Sequence, residues 1–126
     1  MIEHRAFFGD DEKRFAFPTR ELIEELERAI GHGIGSLFRR FRSSDYTLND
    51  VLQVLRLGLV GGGLDPKRAD QLVAVYGVGR PLTEIFAVAD GVITALFFGN
   101  EEADPEPAAF GDMAAAINEA FEQVIA

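Results

Sequence analysis

The chain contains no cysteine, so neither a disulfide framework nor a thiolate metal site can be built from it. His4 and His32 are its 2 histidines. No acidic pair stands at ligand spacing beside His32, whereas structural metal sites gather three or four His, Cys or carboxylate ligands. No metal and no cofactor is therefore expected. Long apolar runs are missing too. Leu82 to Phe98, the most apolar stretch, falls short of the roughly 20 residues of a membrane span and contains Glu84 and Asp90. The first residues lack the layout of a secretory signal, because Glu3, His4 and Arg5 stand where its apolar part would begin. These absences predict a soluble, cytoplasmic protein with no membrane partner.

Catalytic constellations are equally scarce. Gly31-His32-Gly33-Ile34-Gly35 and Gly61-Gly62-Gly63 lack the Gly-x-x-x-x-Gly-Lys-Ser/Thr layout of a phosphate loop and follow no strand of a βαβ unit. They read as helix-terminating turns. Ser36, Ser43 and Ser44 have no nucleophile-elbow context. Glu24, Glu25 and Glu27 read as the solvated face of an amphipathic helix. No catalytic residue is expected, and the chain reads as a non-enzyme.

Basic residues stop at Arg80. Residues 1–80 hold all 12 Lys and Arg against 12 Asp and Glu, so the net charge of −9 arises wholly from the 9 acids beyond them. A chain so balanced disfavours nucleic acid, because phosphate binding needs cations that displace counterions. Arg39, Arg40 and Arg42, beside Phe38 and Phe41, form the densest basic cluster. Pairing with the chain's own acids is the favoured reading of it. The acidic last third either meets a basic partner or keeps an apolar protein in solution.

What is present is helix. At 126 residues and 48 % hydrophobic content the chain fits one domain that buries roughly two thirds of its unfolded surface. Ile2 to Phe8 and Lys13 to Phe17, around the polar turn Gly9-Asp10-Asp11-Glu12, predict a β-hairpin. Two strands alone are marginal, so it must lean on the helices or pair with another subunit. Thr19 predicts a cap for a helix carrying Leu22, Ile23, Leu26 and Ile30 inward. A short amphipathic segment follows through Leu37, Phe38 and Phe41. Thr47 and Asp50 approximate a capping box, and Asp65-Pro66 predicts the start of a fourth helix. Pro81 begins a fifth. The expected fold class is mainly α with a short N-terminal β-hairpin: about five helices over 1–99, then an acidic, proline-bearing linker over 100–107. Residues 108–126 follow as a tethered amphipathic helix striped by Phe110, Met113, Ile117, Phe121 and Val124.

Leu48 to Gly99 carries more apolar residues than one stripe per helix needs. Val54 and Leu57 in the third helix, and Ala87, Val88, Ala95 and Phe98 in the fifth, fall off the stripes. A helix apolar nearly all round is buried centrally or meets another molecule. The surplus points to binding, with helix in groove as the mode. Leu57, Val88, Phe98, Phe121 and Ile125 are the candidate partner-binding residues.

Asp50 to Gly99, preceded by Arg20 to Phe41, resembles the tail-assembly chaperone family of gene transfer agents and siphophages, a family also described as a tail tube protein. The likeness runs from about Phe15 to Gly99. It is carried by the hairpin, the Leu26-Glu27 helix leading to a glycine, the Leu37-Phe38 pair, the Asp50 helix with its Gly-Gly turn and the closing apolar helix. The resemblance implies a small adaptor, made from a phage or prophage-like locus, that coats the helical tape measure protein during tail assembly without catalysis. The tape measure protein is then the expected partner, with the tail tube protein and a second copy of this chain as further ones. Two rival readings are a structural tail component, such as a tube or neck subunit, and an acidic inhibitor that mimics nucleic acid. A tube subunit needs a large sheet that closes into a ring, and the sequence offers only two convincing strands.

Overall fold

The computed structural model describes residues 2–99. They form β1 (His4–Phe8), β2 (Asp11–Phe15), α1 (Arg20–Ile30), α2 (Ile34–Ser43), α3 (Leu48–Gly61), α4 (Pro66–Tyr76) and α5 (Leu82–Phe98). The expected architecture of a hairpin followed by five helices is what the described residues adopt. The expected linker over 100–107 and helix over 108–126, with Phe121 and Ile125, lie outside the described residues.

The hairpin is tighter than the sequence pattern suggested. Gly9, at φ 78°, and Asp10 alone connect the strands, and Phe8 pairs with Asp11. A glycine in the left-handed region at the first of two central positions matches the twist of the flanking strands, so Asp11 and Glu12 join β2. The register places His4, Ala6, Phe8, Lys13 and Phe15 on the inward face and Arg5, Phe7, Glu12 and Arg14 on the outward one. β2 stops at Phe15 because the chain then crosses α3: the Ala16 N–H donates to the Gly58 carbonyl at 2.9 Å. Phe15, Ala16 and Phe17 are consecutively buried there, which removes the alternation expected of a strand as far as Phe17.

Local chemistry sets most helix ends. The Thr19 hydroxyl accepts from the Leu22 N–H at 3.2 Å, and Gly31 closes α1 at φ 83°. α2 begins at Gly33, which has no side chain to cap with, and the Glu27 carboxylate of α1 accepts the Ile34 N–H at 2.8 Å instead. Glu27 is thus a cap for the next helix as well as part of a polar face. Thr47 and Asp50 form a complete capping box on α3. The Asp65 carboxylate accepts from the N–H groups of Lys67 and Arg68, with Pro66 at the first helical position.

α3 lies at the centre. Val51, Val54, Leu55, Leu57 and Leu59 are all buried, with α1, α4, α5 and β2 packed around the helix. Its off-stripe apolar residues therefore face neighbouring elements of the same chain. That corrects the expectation for Leu57: at 1 % exposure it is core and offers no surface to a partner. Ala69, Leu72 and Val73 bury the inner face of α4, and Ile85, Ala89, Val92 and Ile93 that of α5.

Three glycines allow the hairpin to reach α3. A Cβ on Gly58 would touch the Phe15 ring at 3.2 Å, one on Gly61 would overlap the Ala16 carbonyl oxygen, and one on Gly62 would overlap that of Arg14. Spaced i, i+3 and i+4, they form one bare face of the helix over which Arg14 to Phe17 passes. The turn that follows contains Gly63 at φ 108°, in the region most side chains avoid, so the triple glycine does end the helix as expected.

Candidate functional site

A candidate surface for another molecule is the aromatic seam between α2 and α5. The two helices run antiparallel along it. At one end Phe38 stacks on Phe97, with ring centroids 4.5 Å apart and planes at 23°, and meets Phe98 edge-on at 5.7 Å. At the other end Phe41 meets Phe86 edge-on at 5.1 Å, and Tyr46 stacks on Phe86 at 4.4 Å. Midway between them Arg42 pairs with Asp90 and lies 5.5 Å over the Phe38 ring. Offset and edge-on ring pairs stabilise beyond their area alone, so large side chains bridge helices whose backbones stay well apart.

Helical geometry explains why these rings meet. Phe86, Asp90 and Phe97 fall on one flank of α5, since steps of 4 and 7 residues return to nearly the same side of a 3.6-residue helix. Phe38, Phe41 and Arg42 lie likewise on one side of α2. The inner rings are enclosed and the outer ones are not: Phe38 and Phe41 are buried, Tyr46 and Phe86 are half-buried, and Phe97 is 39 % exposed. Arg39 stands one turn before Arg42. Among the described residues neither the Arg39 nor the Arg40 guanidinium reaches a carboxylate at ion-pair distance, whereas Arg42 has Asp90. The expectation that this cluster pairs internally holds here for Arg42.

Of the candidate residues named from sequence, Phe98 belongs to this seam. Val88 is half-buried against the core, and Leu57 is inside it. Phe121 and Ile125 are outside the described residues. Sequence reasoning missed the outer members Phe86 and Phe97, because both match the apolar spacing of α5 and spacing alone does not separate them from its buried residues. Their separation by 11 residues, three full turns, was the available signal.

A second concavity, of about 350 Å³, opens between the hairpin and the end of α3, where Arg5, Lys13, Arg14, Gly62 and Gly63 contribute to its lining. Its cations are already engaged. Lys13 donates to Asp10 at 2.8 Å, and this bond above all holds the Asp10 carboxyl below its ordinary value. Arg5 and Arg14 lie 3.2 and 3.5 Å from Glu3, and Arg14 Nε donates to the Gly62 carbonyl at 3.0 Å. The N–H groups of Gly62, Gly63 and Leu64 are bonded to α3 carbonyls, so none of these three backbone donors is left for an anion. Among the described residues no group of three or more His, Asp or Glu is placed to hold a metal, and no helix is long and apolar enough to cross a membrane.

Fold and seam together define a small helical domain, built round one buried helix, with an N-terminal hairpin and an aromatic seam on its outside. The chain belongs to the family described as phage tail tube protein, GTA-gp10, which matches residues 1–99. It is thus a member of a family of phage and gene-transfer-agent tails. No match was found among curated proteins or among solved structures. The match corresponds to the hairpin and the five helices and ends one residue past α5.

Proposed function

We propose that the protein is a non-enzymatic tail-assembly chaperone that binds apolar helical segments of a tape measure protein along the α2–α5 seam. The observation that carries this reading is Phe97, 39 % exposed on the outside of the α2–α5 seam and stacked on the buried Phe38 ring. An aromatic seam with a cationic edge suits an amphipathic helix laid along it, with anchors at i, i+3, i+4 and i+7. Covering such helices before a tail tube closes round them keeps their apolar faces from aggregating.

Co-expression of the chain with the tape measure protein of the same locus is expected to raise the soluble yield of that protein and to co-purify it. Phe97→Asp is expected to weaken the complex by about tenfold or more, which corresponds to about 1.4 kcal/mol, while the melting temperature shows that the domain is still folded. Unchanged tape measure solubility together with no co-purification would overturn the proposal.

The family's description as a tail tube protein favours a second reading, a subunit that stays in the particle. Only a two-stranded sheet is found among the described residues. Mass spectrometry of purified particles separates the readings: a chaperone is absent from the finished tail, and a tube subunit is among its most abundant proteins.

A further inference from the structure

We infer that residues 108–126 of this chain dock as a helix on its own α2–α5 seam, with the acidic stretch before them held against Arg39 of α2. Four observations converge on this occupant. The first is position. The described chain ends at Gly99, directly after Phe97 and Phe98 at one end of the seam, so whatever follows emerges beside it. The second is reach. Residues 100–107 extend at most about 29 Å at roughly 3.3 to 3.6 Å per residue, against about 15 Å for the ten residues of α2.

The third observation is pattern. Phe110, Met113, Ile117, Phe121 and Val124 recur at helical spacing, giving a stripe about 21 Å long as a helix, close to the 17-residue length of α5, about 25 Å. Laid antiparallel to α5, that stripe would cover the rings from Phe97 to Phe86. The fourth is charge. Glu101, Glu102, Asp104 and Glu106 precede the stripe, and no Lys or Arg occurs after Arg80. On α2 Arg39 flanks the side that carries Phe38 and Arg42, and among the described residues it has no carboxylate at ion-pair distance. The acidic stretch complements it, and a tether this short gives the docking segment a high effective concentration.

This docking concerns the chain alone and does not depend on the tape measure protein being its partner, so the two proposals fail separately. If both hold, the segment and the partner helix compete for one seam.

Absence of cysteine makes the test direct. A nitroxide is attached to the full chain through Ala115→Cys, a position off the stripe, and the backbone amide signals are compared with the label oxidised and reduced. Loss of intensity is expected for residues around Arg39, Phe86 and Phe97 and not for α4. In Arg39→Glu the loss is expected to diminish, and to diminish likewise for the unaltered arginine at about 1 M salt, where the Debye length falls to about 3 Å. Unshifted signals in α3 and α4 confirm that the variant is folded. A second sample mixes isotope-labelled chain lacking the nitroxide with unlabelled chain carrying it. Intensity loss in that mixture means the seam is covered by another copy and overturns the inference, as does an even loss over the surface or none at all.

Discussion

Gly61→Ala is expected to destabilise the domain by about 3 kcal/mol or more, beyond the usual 1 to 3 kcal/mol of overpacking, because the obstruction is backbone. A methyl group at this position would overlap the Ala16 carbonyl oxygen and approach Leu22 Cδ2 to 2.7 Å. Leu22 can change rotamer; the carbonyl cannot move without shifting the chain that buries Phe15 and Phe17 and the bond from Ala16 N–H to Gly58. A domain of this size loses about 4–8 °C in melting temperature per kcal/mol, so a drop of more than about 12 °C is expected. Gly62→Ala meets the Arg14 carbonyl in the same way. Gly35→Ala is the control: it lies inside α2, exposed, with nothing within 4 Å of the added Cβ. Removing a helical glycine there should stabilise by about 0.5–1 kcal/mol. Melting curves of the three variants decide, and a Gly61→Ala protein that melts with the parent would mean that Arg14 to Phe17 does not cross α3 at these glycines.

Asp50→Ala should cost about 2–4 kcal/mol, the sum of a lost helix cap and an abandoned buried partner. Asp50 is 1 % exposed, the one charged side chain in the core of the described residues. One carboxylate oxygen accepts the Thr47 N–H at 3.0 Å, while the Asp50 N–H donates to the Thr47 hydroxyl at 3.0 Å. The other oxygen stands 3.0 Å from His32 Nε2, in the turn between α1 and α2. Its substitution therefore frays the start of the central helix and frees the turn beside it together. His32 Nε2 would also lose its partner, and its Nδ1 is already buried with no hydrogen-bond partner. Asp50→Asn retains the shape and one acceptor, and should cost less than half as much. His32→Ala, which removes only the link between turn and helix, should fall between Asn and parent. Denaturant titration orders the variants; equal midpoints for Asp50→Ala and the parent would show that neither the cap nor the link contributes.

Much of the fold was legible because it is local. Thr19, Thr47 with Asp50, and Asp65 with Pro66 mark helix starts through bonds made within one turn. The glycines at Gly31 and Gly63 mark stops because their backbone conformation is unfavourable for other residues. The hairpin limits were less legible. A four-residue polar turn and a two-residue glycine turn share the same letters here, and the ladder ends at Phe15 through a bond to α3 that no local pattern encodes.

The candidate site divides along the same line. By itself the sequence determined that five helices follow a hairpin over residues 1–99, where most of their caps lie, that cations end at Arg80, and that α3 and α5 are too apolar for a single stripe each. Only the tertiary structure decided where that surplus goes. On α3 it is internal, because the helix has neighbours all round; on α5 it divides between core and the aromatic flank that meets α2. Whether Leu57 or Phe97 touches solvent depends on which element lies opposite, and periodicity reports the face of a helix without saying what covers it. The same holds for Gly58, Gly61 and Gly62, which their letters mark as a stop and their surroundings make a crossing point: a missing side chain is informative only once the backbone that needs the space is in place.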